Sequence, residues 1–129
     1  MATVSHTLTI ESTDLTTDSI SLSAIQSIVS ATQGGIMREK IVPDAIGSAQ
    51  KIAIASLYSN GAKLWLYNPS TDTTNEKIYI SFDSTTDQVI LSGGDWAVIP
   101  WSAGSSGTVV DLEAYGEVAN NILEYGVFQ

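Results

Sequence analysis

Residues 77–83 alternate without exception. Ile78, Ile80 and Phe82 fall on one side of an extended chain, and Lys77, Tyr79, Ser81 and Asp83 fall on the other. A period of two is the mark of a strand with one face in a core and one in water. The same period runs through the N-terminal region, where Val4, His6, Leu8 and Ile10 oppose Ser5, Thr7, Thr9 and Glu11. It returns in Ile20, Leu22 and Ala24 against Ser19, Ser21 and Ser23. Residues 24–29 break the alternation and fit a single helical turn as well as a bulged strand. In residues 63–68, Leu64 and Leu66 take one face while Trp65 and Tyr67 take the other. A strand apolar on both faces is expected to be covered twice, by a core and by a neighbour.

Turn chemistry separates these runs. Residues 51–58 read as a strand ending at Ser59-Asn60-Gly61, and Asn-Gly is a strong hairpin signal. Residues 88–91 and 96–99 read as a second hairpin, joined through Ser92-Gly93-Gly94-Asp95, with Pro100 stiffening its exit. The alternation with Val98 places Trp96 inward, which leaves Trp101, beyond the proline, as the interface candidate. Strands are also expected over residues 108–114 and 121–128, while residues 30–49 read as a long connection with at most one short strand, 36–42. No amphipathic helices stand between them, as a parallel α/β sheet would require. The expected fold is all-β: a single antiparallel β-sandwich, jelly-roll-like, with about eight strands and little helix.

A chain of 129 residues is expected to form one sandwich domain, with residues 1–49 partly arm-like or loop-rich. Only 15% of residues are charged, and Ser, Thr, Asn and Gln supply the polar surface. That suits surfaces covered by neighbours, because a buried hydroxyl is easier to satisfy than a buried charge. The net charge is −9, and the five bases, Arg38, Lys40, Lys51, Lys63 and Lys77, form no cluster. Phosphate recognition needs clustered Lys and Arg, so nucleic acid is not an expected partner. There is no cysteine, which removes disulfides and thiolate metal sites. Residues 1–25 lack the pattern of a signal peptide, and no apolar run approaches membrane-spanning length. Synthesis in a cytoplasm and no membrane partner are the expectation.

Candidate chemistry is sparse. His6 is the sole histidine, and its place on the apolar side of a terminal strand favours a structural role over general-base catalysis. Asp72, Glu76, Asp83 and Asp87 gather around loops, and Ca²⁺ accepts about six to eight oxygens. Asp is equally at home in turns, where it bonds its own backbone, and no EF-hand-like pattern is present. Glu113, Glu117 and Glu124 offer carboxylate pairs of the kind glycosidases use, as any acidic chain does. No catalytic residue, metal or cofactor is therefore expected. The tryptophans Trp65, Trp96 and Trp101 could stack on sugars, although in small β domains they serve cores and protein interfaces more often.

The C-terminal half carries a resemblance. The successive segments Lys63-Leu-Trp-Leu-Tyr-Asn-Pro-Ser-Thr, Ile78-Tyr-Ile-Ser-Phe, Leu91-Ser-Gly-Gly-Asp-Trp-Ala-Val-Ile-Pro-Trp and Ile122-Leu-Glu-Tyr-Gly-Val-Phe resemble small structural proteins of tailed-bacteriophage virions. Phages of cyanobacteria and marine bacteria come nearest. The likeness covers about residues 62–128. It implies a non-enzymatic role, foremost capsid decoration (cement), with a tail or neck component as the alternative. It implies a homo-oligomer made in the host cytoplasm, located in the virion, and partnered by the major capsid protein or by tail and neck proteins. Gly93, Gly94, Asp95, Trp96, Pro100 and Trp101 would be fold and interface determinants, with Trp65, Tyr67 and Phe128 as further interface candidates. A carbohydrate-binding module using surface tryptophans is the reading from another class.

Overall fold

A computed structural model describes residues 2–13, 20–31, 34–43, 48–58, 61–102 and 111–129. The chain divides into two units, Met1–Thr32 and Gln33–Gln129. The first is an antiparallel ribbon of β1 (Ala2–Ser12) and β2 (Ile20–Ala31). Its register sets Leu8 opposite Ala24 and Ile10 opposite Leu22. The two alternating apolar sets read from the sequence thus share one face. Residues 24–29, open between a helical turn and a bulged strand, belong to β2, and the ladder's single irregularity lies at Ala2/Thr3.

Among the described residues the second unit holds eight strands in two antiparallel sheets: β3 (Gly34–Lys40), β4 (Gln50–Ala53), β5 (Ala62–Tyr67), β6 (Ile78–Ser81), β7 (Val89–Leu91), β8 (Trp96–Trp101), β9 (Leu112–Gly116) and β10 (Ile122–Phe128). One sheet runs β3-β10-β5-β8 and the other β4-β9-β6-β7. The pairings β3/β10, β4/β9, β5/β8 and β6/β7 describe one long hairpin of the whole unit, folded back at residues 82–88. The ladders β10/β5 and β9/β6 form when that hairpin rolls up on itself. This is the winding of a jelly roll. The inner faces of the sheets make one core, in which Ile41, Leu64, Leu66, Ile78, Ile80, Leu112 and Leu123 are fully buried.

The apex of the long hairpin is built by short polar side chains. The carboxylate of Asp83 accepts the amides of Thr85 (2.8 Å) and Thr86 (2.7 Å), and Ser81 Oγ accepts that of Ser84 at 3.0 Å. Ser84 takes a positive φ of 59° there.

Both expected hairpins are corrected. The run 51–58 is a strand only to Ala53; a 3-10 turn, Ala55–Tyr58, follows it. The chain then crosses from the sheet of β4 to the sheet of β5, so the Asn-Gly signal marks a crossing. Ser59 and Asn60 lie outside the described residues. Ser92–Asp95 likewise joins β7 in one sheet to β8 in the other. The physical reason is the same in both places. A turn signal reports local backbone geometry, while β5 and β8 find better apolar partners in each other than in their chain neighbours. The strand expected at 108–114 is β9, Leu112–Gly116, and residues 103–110 lie outside the described ones.

The Ser92–Asp95 corner is where two of the glycines are required. Gly94 has φ +84°, and a Cβ on Gly93 would come within 2.5 Å of the Asp72 carbonyl oxygen. Ser92 donates its amide to the Asp95 carboxylate at 2.9 Å. Asn68, fully buried, ties the corner to the loop before β6: its Nδ2 donates to the carbonyls of Glu76 (2.7 Å) and Leu91 (3.0 Å). Its Oδ1 accepts the Ser70 amide at 3.1 Å. The expected role of Gly93, Gly94 and Asp95 as fold determinants therefore has a mechanism, in a corner rather than a hairpin turn.

Candidate functional site

The outer face of the sheet β3-β10-β5-β8 is the most distinctive surface of the sandwich. Its register stacks three cross-sheet rows: Gly34–Phe128–Lys63–Pro100, Ile36–Gly126–Trp65–Val98, and Arg38–Glu124–Tyr67–Trp96. Trp65 and Tyr67 stack with ring centroids 6.2 Å apart and planes 27° apart. Trp96 stands beside Tyr67 and is 54% exposed. A Cβ at Gly126 would meet the Phe128 ring at 2.7 Å, so that ring lies over the glycine. The result is an apolar, aromatic strip, with Val98 and Ile36 also open to solvent.

Charge enters this strip in its first and third rows: Lys63 stands between Phe128 and Pro100, and Arg38 and Glu124 lie beside Tyr67. Arg38 and Glu124 pair at 2.8 Å, with Arg38 largely exposed. Such a surface pair is worth about 0–1 kcal/mol. It neutralises the two groups without adding a field.

The expected face assignment of the tryptophans is reversed. Trp96, Val98 and Pro100 share the outer face of β8, while Ala97, Ile99 and Trp101 face inward. Trp101 is only 7% exposed and packs at 5.8 Å from the Tyr58 ring. Alternation gives two faces but not which one is inside. That is decided across the ladder, where Leu66, Leu64 and Ala62 oppose Ala97, Ile99 and Trp101 and commit these to the core. Trp65, Tyr67, Trp96, Pro100 and Phe128 converge on the strip, whereas Gly93, Gly94 and Asp95 hold the corner behind it. Val98 and Ile36 were missed. Val98 was legible through its alternation with Trp96, but nothing local sets β3 beside β10.

The opposite sheet has a different outer face. Tyr79 and Tyr115 stack there at 4.8 Å and 10°, and the Tyr115 hydroxyl donates to Asp87 at 2.8 Å. Burial, with the Asp87 carboxylate beside it, pushes the Tyr115 phenol up to about 12. Lys51 pairs with Asp111 at 2.7 Å, which raises the lysine and lowers the carboxyl.

The acidic loops resolve into turn caps. Asp72 accepts the amides of Thr74 and Asn75 at 2.8 and 2.9 Å, as Asp83 does at the apex. These amides hold both carboxyls well below their ordinary range. Glu76 accepts a short hydrogen bond from Ser70. Among the described residues no three His, Asp or Glu side chains gather as metal ligands. A cavity of about 120 Å³ opens between the sheets, lined by Met37, Ile52, Tyr58, Tyr125 and Val127. Ligand pockets are usually about 300–1,000 Å³, and this one is smaller. The Tyr125 hydroxyl at its wall donates to Glu39 at 2.9 Å, and burial raises that phenol well above its usual range.

Compared with models of protein families, with curated proteins and with solved structures, the chain matches none.

Proposed function

We propose that this protein is a non-enzymatic structural component of a bacteriophage virion, foremost a capsid decoration (cement) protein that docks through the aromatic outer face of β3-β10-β5-β8. The observation that carries the reading is the strip of Trp65, Tyr67, Trp96, Val98 and Phe128 on one face of a jelly roll. A patch rich in aromatic residues and poor in charge is the composition of a protein-interface centre. The resemblance of residues 62–128 to small phage structural proteins supplies the kind of partner: the major capsid protein, or tail and neck proteins in the alternative. The net charge of −9 favours an outer station away from packaged DNA.

Binding of purified protein to heads and tails lacking it, followed by light scattering and electron microscopy, tests the reading. Docking to heads supports the cement role, and docking to tails supports the alternative. Trp96→Ala should weaken either by about tenfold or more, because truncating a central aromatic costs upwards of about 2 kcal/mol at a hot spot. Particles that ignore the protein overturn the proposal.

A second reading has its own observation. Trp65 and Tyr67 lie near-parallel with Trp96 beside them, an arrangement on which sugar rings could stack. Retention on a polysaccharide gel, lost in Trp96→Ala, together with indifference to virions, would assign a carbohydrate-binding module instead.

A further inference from the structure

Among the described residues the sandwich has four edge strands, β3 and β8 in one sheet and β4 and β7 in the other. An open edge is a template for another strand, and proteins blunt edges with short strands, bulges, proline or charged side chains, lysine above all. Three of the four are blunted in just these ways. β7 has three residues, β4 has four and a register shift at Lys51/Ala53, and β8 carries Pro100. β3 is different: seven residues, no proline, an unbroken ladder with β10, and its three charges, Arg38, Glu39 and Lys40, gathered at one end, which leaves Gly34–Met37 uncharged. Its centre is apolar on both faces and open, with Ile36 70% and Met37 57% exposed.

We infer that β3 is a self-pairing edge, joining two copies of this chain antiparallel about a two-fold axis at Met37. The sequence of β3 fits that axis. Centred on Met37, all seven residues overlap: Met37 faces itself, Ile36 faces Arg38 of the second copy, Gly35 faces Glu39, and Gly34 faces Lys40. The charged end of each strand thus meets the glycine end of the other, and no like charges oppose. Shifting the axis to Arg38 would set arginine against arginine, and shifting it to Ile36 would shorten the overlap. A two-fold perpendicular to the sheet keeps faces on their own side, so the two aromatic strips would form one continuous surface. Backbone pairing of this kind supplies affinity through main-chain hydrogen bonds, and side chains set the register. The pairing does not depend on what covers the aromatic strip.

Light scattering on the intact protein should give twice the chain mass at micromolar concentration. Ile36→Lys sets a like charge against Arg38 of the second copy in two symmetric contacts and should weaken the dimer about tenfold. Ile36→Glu sets an opposite charge there and should leave the dimer as tight or tighter. The chain has no cysteine, so Met37→Cys provides an unambiguous reporter: directly opposed Cβ atoms lie about 4.5–5.5 Å apart, within reach of a short bis-maleimide, which should cross-link the two thiols to give a dimer. Circular dichroism checks that each variant is folded. A wild-type monomer overturns the inference, including one that pairs with a strand of another protein. So does a dimer indifferent to the sign of the charge at position 36, or a folded Met37→Cys protein that does not cross-link.

Discussion

At the residue scale, the two ends of β8 carry tryptophans with opposite duties. Trp101 packs in the core against Tyr58, while Trp96 lies on the outer strip. Trp101→Ala should cost about 3–5 kcal/mol through lost burial and the cavity left behind, a large share of the ~5–15 kcal/mol that holds a domain together. Trp96→Ala should fall within about 0.5 kcal/mol of wild type, as surface substitutions do. Urea unfolding of the two variants checks this, and equal losses would contradict the face assignment. The tyrosines give a second prediction. A phenol raised in the folded state favours the fold below its ordinary pKa of about 10, and that contribution is lost as pH rises through the folded value. For Tyr115 that value is about 12, and Tyr125 lies well above the ordinary range too. Followed by phenolate absorbance, two of the five tyrosines should still be protonated in the folded protein at a pH where the denatured chain has ionised. A single transition near 10 for all five would refute it.

At the scale of elements, strands were legible where one face is apolar and the neighbour polar, because that contrast is local. Residues 77–83 announced β6 in this way, while 63–68 announced β5 as a short run apolar on both faces. What turns connect was not legible. Ser92–Asp95 has hairpin chemistry, yet it bridges two sheets because Asn68 and Asp95 bind it to a loop distant in sequence: Gly94 donates to the Asn68 carbonyl at 2.9 Å, and Asn68 donates its amide to the Asp95 carbonyl at 3.0 Å. The buried Asn68 side chain serves three backbone groups at once, and replacing it by Ala strands the carbonyls of Glu76 and Leu91 and the amide of Ser70. Each buried unsatisfied group costs about 1–3 kcal/mol, and partial access to water trims the sum. Asn68→Ala should therefore destabilise by roughly 2–4 kcal/mol in denaturant unfolding. Gly93→Ala should act on the same corner, since its Cβ would meet backbone atoms of Ser70 and Asp72 that cannot rotate away. If both variants unfolded with the wild type, the corner would not be the clasp between β7 and β8 described above.

At the scale of the whole molecule, the class of fold was legible and its winding was not. Eight short strands with turns between them fit many sandwiches; the pairing of β3 with β10 and of β4 with β9 joins residues far apart in the chain, from Ala53 and Leu112 to Gly34 and Phe128, and no local pattern encodes that. The candidate strip was half legible for the same reason: Trp65 and Tyr67 declared their face within one strand, whereas Ile36 joins them only through the rolled-up sheet. The division into two units has a direct consequence. Every strand of the sandwich, and every buried core residue from Ile41 to Val127 described, belongs to Gln33–Gln129. The ribbon β1–β2 has only two strands, and an isolated two-stranded hairpin is marginal in water. Among its described residues the apolar Leu8, Ile10, Leu22 and Ile25 are exposed. A chain of residues 33–129 should accordingly fold alone, with a β-type circular dichroism spectrum and a single cooperative urea transition. A peptide of residues 1–32 should show neither. The same fragment separates two modes of attachment: if it still binds particles, the aromatic strip carries the docking, and if binding is lost while the fold survives, the ribbon carries it. A fragment 33–129 that fails to fold would mean that the ribbon completes the sandwich, and the two-unit description would have to be given up.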